Sequence, residues 1–147
     1  MNKIELKEKL LSLEFAEINE AERNYEEFIK DSDLDRNDTI DPEDHSQHAA
    51  SAELSEGYEQ QVLEHEHHIE LLNTIDFSPS DSVRVGAVLE TTNRYLFIGL
   101  PFRECEYEGK PMLGISVKAP IYKNVEGKKA GDLCQFNGSE FKILSVY

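Results

Sequence analysis

Asp31-Ser-Asp-Leu-Asp-Arg-Asn-Asp-Thr-Ile-Asp-Pro-Glu-Asp44 separates two long stretches of helical character, and its reading decides the fold. It holds seven acids: Asp31, Asp33, Asp35, Asp38, Asp41, Glu43 and Asp44. Asp and Asn favour turns, Asp41 or Asp44 can cap a following helix, and Pro42 is tolerated in a first turn. Seven acids exceed what a turn and a cap require. Like charges ~4 Å apart repel by about 4 kcal/mol at an effective dielectric of about 20. The excess points to a divalent cation or a cationic partner.

Upstream, from Lys3 to about Lys30, there is no Gly or Pro. Ile4, Leu11, Phe15, Ile18, Tyr25 and Ile29 recur at helical steps and predict one apolar stripe. Downstream, from about Ser46 to Ile75, the predicted stripe is Leu54, Tyr58, Val62, His65, Ile69 and Leu72. Helices of roughly 28 residues would each run about 40 Å. Two narrow stripes joined by one loop predict an antiparallel hairpin, a coiled coil with an acidic tip at residues 31–44.

The charge divides with the pattern. Residues 1–76 carry 22 acids and 6 bases, a net of −16, whereas residues 77–147 carry 8 acids and 9 bases, a net of +1. All five histidines lie in the first part, and Gly57 and Pro42 are its sole Gly and Pro. The predicted units are therefore 1–76 and 77–147, jointed near Phe77-Ser-Pro-Ser-Asp81. A net charge of −15 disfavours direct binding to phosphates. Cys105 and Cys134 are too few for a disulfide framework and lack metal-ligand spacing. No apolar run approaches a membrane span, and the amphipathic start shows no signal-peptide pattern. A soluble, cytoplasmic protein is expected.

Two motifs invite a metal reading. Counted from Asp33, the oxygen-bearing Asp33, Asp35, Asn37, Thr39, Asp41 and Asp44 fall on EF-hand ligand positions, with Ile40 at the aliphatic one. Asp38, however, stands where glycine belongs, and Asp44 replaces the longer Glu. The stretch Glu64-His-Glu-His-His68 fails the zincin spacing. His65 is expected on the buried stripe and His67 and His68 in water, with a structural zinc or nickel site as the lesser reading.

Residues 77–147 read as strands. Val83–Leu89 and Arg94–Ile98 flank a turn at Thr91-Thr-Asn93. Leu113–Val117 is a third strand, Ala119–Val125 a short helix opened by Pro120, and Asp132–Phe136 and Glu140–Val146 turn at Asn137-Gly138. The prediction is a small α+β domain with a mostly antiparallel sheet. Ser116 and Cys134 have no base beside them and read as structural.

Ile115-Ser-Val-Lys-Ala-Pro-Ile121, then Val125-Glu-Gly-Lys-Lys-Ala-Gly-Asp132 and Phe141-Lys-Ile-Leu-Ser-Val146, resemble the C-terminal domain of bacterial Gre transcription elongation factors (the GreA/GreB family). The resemblance covers about residues 80–147. It implies an FKBP-like C-terminal domain behind a helical hairpin, and a monomer that binds RNA polymerase rather than an enzyme. On the family's pattern, Ser116, Pro120, Ile121, Lys128, Lys129 and Asp132 belong to the polymerase-binding domain. The acidic tip would enter the secondary channel, where Asp41 and Asp44 assist the polymerase metal. Asp41, Glu43 and Asp44 would share Mg²⁺ with the polymerase, with Asp33, Asp35 and Asp38 as additional candidates, and no ion would be held tightly. RNA and DNA would be met through the polymerase, and cleavage of backtracked RNA would be stimulated.

The Asp-Pro-Glu-Asp run also resembles the tip of DksA-type factors. The family's usual Leu-Ser-Glu-Asn-Ala tip is not reproduced, and Asp33, Asp35 and Asp38 are similar to the extra acids of relatives that inhibit the polymerase. A factor that regulates without cleavage is therefore the alternative. Arg23 and Arg36 are the basic residues nearest the tip. Two further alternatives are an isomerase or chaperone, with Tyr95, Phe97, Phe102, Tyr107 and Tyr122 lining a pocket, and a calcium module at Asp33–Asp44.

Overall fold

A computed structural model describes residues 1–35 and 44–147 of the chain, and the side chains of 1–31 and 52–147. Helix α1 spans Lys3–Asp35 and α2 spans Asp44–Thr74. The Oδ1 of Asn2 accepts hydrogen bonds from the backbone N–H groups of Ile4 (3.1 Å) and Glu5 (3.3 Å), which caps α1. Along α2 the sequence tolerates Gly57, and the helix ends where Thr74 Oγ1 donates to the Leu71 carbonyl. Glu14 lies against His65 and His68, and Tyr25 lies against Ser55 and Tyr58. Rising positions on α1 thus meet falling positions on α2, so the two helices are antiparallel.

The face that α1 buries matches the predicted one in part, with Leu11, Ile18 and Tyr25 half-buried. Ile4 is 73% exposed and Phe15 53% exposed, and Ile29 is also exposed, while Lys3, Leu6, Leu10, Glu14 and Ala21 are buried. The buried positions keep helical spacing but include two charged residues, so apolarity alone selects a neighbouring face. On α2, Tyr58, Val62, His65, Ile69 and Leu72 face inward as expected, but Leu54 is exposed and His68 is buried.

The remainder forms strands β1 (Val88–Glu90), β2 (Tyr95–Gly99), β3 (Cys105–Tyr107), β4 (Lys110–Ser116), β5 (Leu133–Phe136), β6 (Ser139–Lys142) and β7 (Ser145–Val146), with α3 at Pro120–Val125. Five strands order as β3-β4-β2-β1-β7, and β5 and β6 form a separate pair. All pairings are antiparallel except β2 with β4, which runs parallel from Tyr95↔Met112 to Gly99↔Ser116. The architecture is α+β: an N-terminal helical pair followed by a small, mostly antiparallel β domain.

Three details depart from the sequence reading. The stretch before β1 is no strand, because Gly86 adopts φ +88° and a turn closes from Ala87 N–H to the Arg84 carbonyl. Strand β3 was not anticipated; Glu108 (φ 48°) and Gly109 (φ 79°) turn it into β4. The last predicted strand divides into β6 and β7 around the fully buried Ile143. The turn at Asn137-Gly138 forms as expected, with both residues at positive φ, as a two-residue hairpin requires.

Packing gathers Met1–Lys7 with Leu71–Tyr147 in one unit, and Glu8–Glu70 in another. This division cuts through both helices rather than after residue 76. Strand β2 is buried along Tyr95–Ile98, which explains why it reads as a continuous apolar run. One core gathers Val83, Leu89, Leu96, Ile98, Ile115, Ile121, Val125, Cys134 and Ile143. Phe97 instead meets Phe77 (5.6 Å between centroids) and Phe102 (6.0 Å). No helix among the described residues is long and apolar enough to cross a membrane.

Candidate functional site

The passage from Ile115 to Asp132 forms one compact feature of the β unit. The Oγ of Ser116, at the end of β4, accepts the backbone N–H of Lys118 (3.2 Å), and its carbonyl accepts that of Ala119 (3.0 Å). This turn reverses the chain into α3, where Pro120 occupies the first turn and so loses no helical hydrogen bond. Asn124 Nδ2 donates to the Gln135 carbonyl at 2.8 Å and ties α3 to β5. Asp132 Oδ2 accepts the backbone N–H of Lys129 at 2.8 Å, which closes the loop after α3. The Lys128 carbonyl accepts from Val83, and a bridge joins Ser82 to Lys129.

The six residues expected at a polymerase-facing surface therefore part company. Pro120, Lys129 and Asp132 are exposed, and Ser116 and Lys128 are half-buried. Ile121 is buried among Ile115, Val125 and Cys134, so it holds α3 in place and offers no contact surface. Ser116 and Asp132 use their side chains on local backbone, which gives both a structural role in shaping the turn.

The acidic-tip positions Asp38, Asp41 and Glu43 lie outside the described residues, as do the side chains of Asp33, Asp35 and Asp44. Arg36 does too, while Arg23 is an exposed residue of α1. Of the aromatics expected to line an isomerase pocket, Tyr95 meets Tyr107 edge to face at 6.2 Å and Phe97 lies 6.0 Å from Phe102. Tyr95, Phe97 and Tyr107 are buried packing residues, and Tyr122 Oη donates to Glu126 at 3.1 Å. The thiol of Cys134 is also buried, and burial raises its pKa. That opposes thiolate chemistry.

A constellation that the sequence offered only as a lesser zinc or nickel reading of the histidine cluster, without Glu14, lies between α1 and α2. Glu14 Oε2 sits 2.6 Å from His65 Nδ1 and 3.2 Å from His68 Nδ1. Among the described residues these three bring potential metal-ligand atoms within 4.8 Å of one another. Their signal was available, because two histidines three apart share one helical face. Glu14 was hidden, since a lone Glu on a charged helix looks like solvent-facing surface.

No known protein family matches the chain by sequence, and no curated protein matches it. Among solved structures it is similar to GreA factor homolog 1 (Gfh1) of Thermus thermophilus, at 19% identity over 97% of this chain and 93% of that one, with a TM-score of 0.35. It is similar also to Gfh1 of Thermus aquaticus, at 18% identity over 98% of this chain and 93% of that one, with a TM-score of 0.34.

Proposed function

We propose that this protein is an RNA polymerase-binding transcription elongation factor. The observation that carries the reading is the passage Ile115–Asp132, whose Ile-Ser-x-x-x-Pro-Ile and Gly-Lys-x-x-Gly-Asp pattern resembles the C-terminal domain of Gre factors. It is supported by the strand, Ser116 turn, Pro120-initiated α3 and Asp132-closed loop built from those residues. Two antiparallel helices flanking a seven-acid segment support it further. On this reading the β domain is FKBP-like and docks on the polymerase, and the chain is an accessory factor rather than an enzyme. Asp41 and Asp44, with Glu43, would hold a magnesium ion shared with the polymerase, and such an ion stabilises charge in phosphoryl displacement. The chain's own part is to deliver the carboxylates, and it meets RNA and DNA through the polymerase.

Incubation with a backtracked elongation complex and Mg²⁺ tests the proposal. The expected result is co-migration with the polymerase and shortening of the RNA. The double variant Asp41→Ala, Asp44→Ala should keep binding and lose cleavage. Absence of binding overturns the proposal. Binding with slowed elongation and no cleavage selects the second reading, an inhibitory factor, which the added acids Asp33, Asp35 and Asp38 favour.

A further inference from the structure

We infer that Glu14, His65 and His68 form a binding site for a divalent transition-metal ion, with Zn²⁺ the best match. The site lies in the helical pair and is independent of any role of the acidic segment. The Glu14 side chain is 3% exposed, yet its partners are two imidazoles rather than a Lys or Arg. A buried carboxylate requires compensation of its charge. An imidazole N–H satisfies an oxygen without neutralising it unless the ring is protonated. A divalent cation does both, because it accepts the carboxylate and the nitrogen lone pairs together.

The geometry is close to what coordination needs. Zn–N and Zn–O bonds of about 2.0–2.2 Å place tetrahedral donors about 3.3 Å apart. The Oε2 atom already stands 2.6 and 3.2 Å from the two Nδ1 atoms, and one donor atom from each of the three residues lies within 4.8 Å of the other two. The rings of His65 and His68 meet edge to face with centroids 5.8 Å apart. Two histidines from α2 and one carboxylate from α1 make a three-ligand set, the arrangement expected between facing helices. The N₂O donor set selects Zn²⁺, Ni²⁺ or Cu²⁺ over Mg²⁺ and Ca²⁺, which prefer all-oxygen shells. Because the donors come from both helices, the ion would fasten α1 to α2 at this level and fix their register.

The full chain, freed of metal with a chelator, should be titrated with Zn²⁺ by calorimetry. Saturable binding of one ion per chain is expected, unaffected by excess Mg²⁺. His65→Ala with His68→Ala, and separately Glu14→Gln, should weaken it by at least about 100-fold. His67→Ala, an exposed neighbour, and Asp41→Asn with Asp44→Asn should leave it unchanged. Should the double histidine variant fail to fold, Co²⁺ added to the unaltered chain decides. Intense tetrahedral absorption and shifted imidazole NMR signals of His65 and His68 support the site. Zn²⁺ binding that survives the histidine substitutions, or Co²⁺ that leaves both imidazole signals unmoved, overturns it.

Discussion

Lys3 shows how one buried charge sets a pH response. Its Nζ donates to the carbonyls of Gly86 and of Tyr147, the latter at 2.9 Å. Burial and then the neighbouring Arg84 pull its pKa from 10.5 down to about 8, against the opposing pull of Asp76. Between those values the unfolded chain binds the proton and the folded chain has released it. Stability therefore rises with pH above about 8 and is flat with respect to this group below it. Cys134, whose pKa is raised by burial, works the other way above its ordinary 9.0. Urea midpoints measured from about pH 7 to about pH 9 should show the rise, and Lys3→Met should remove it. Gly114 gives a second prediction at this scale. A Cβ there would lie 2.4 Å from the Leu100 carbonyl oxygen and 2.4 Å from Phe102 Cδ1. Gly114→Ala should cost about 3 kcal/mol, read from denaturant unfolding. Lys3 as a core residue was not legible in the sequence, because its two acceptors lie 83 and 144 positions away.

Among elements, the helices and the sheet differ in how openly they declare themselves. The turn at Asn137-Gly138, the Pro120 start of α3 and the apolar run of β2 are local signals, and each forms where the residues say. The stripe of α1 is not local: Glu14 enters the seam because His65 and His68 meet it, and Ile4 and Phe15 are left in water. The Ile115–Asp132 feature was legible as a pattern, yet the burial of Ile121 depended on where α3 packs. Tyr25 and Tyr58 stack at 4.6 Å and 6° and join the two helices. A double-mutant cycle with Tyr25→Ala and Tyr58→Ala should return a coupling of about 1 kcal/mol. Gly57 lies within α2, and an added Cβ there meets nothing within 4 Å. Gly57→Ala should therefore stabilise the helix by about 1 kcal/mol, visible as a higher midpoint in far-UV thermal unfolding.

At the scale of the whole molecule, the first seven residues pack with the β unit. Leu6 is fully buried, Lys3 holds two carbonyls, and Lys7 lies 5.8 Å over the Phe77 ring. Loss of one buried leucine alone costs about 2–5 kcal/mol. A fragment of residues 77–147 should therefore unfold at clearly lower urea than the full chain, as followed by tyrosine near-UV signals of the β unit. Equal midpoints would show that residues 1–7 contribute nothing to it.

From the sequence alone come the division into a helical, acidic part and a near-neutral strand-rich part, the turns at Thr91–Asn93 and Asn137-Gly138, and the resemblance over Ile115–Asp132. Period, turn chemistry and charge are properties of neighbours along the chain, so they are written locally. The tertiary structure alone decides the parallel pairing of β2 with β4, the packing of Met1–Lys7 with the β unit, and the meeting of Glu14 with His65 and His68. These depend on partners 51 and 54 residues apart in the triad, and further in the case of Lys3. A charged side chain is stable inside a protein when such a partner reaches it, and no pattern of neighbours reports that.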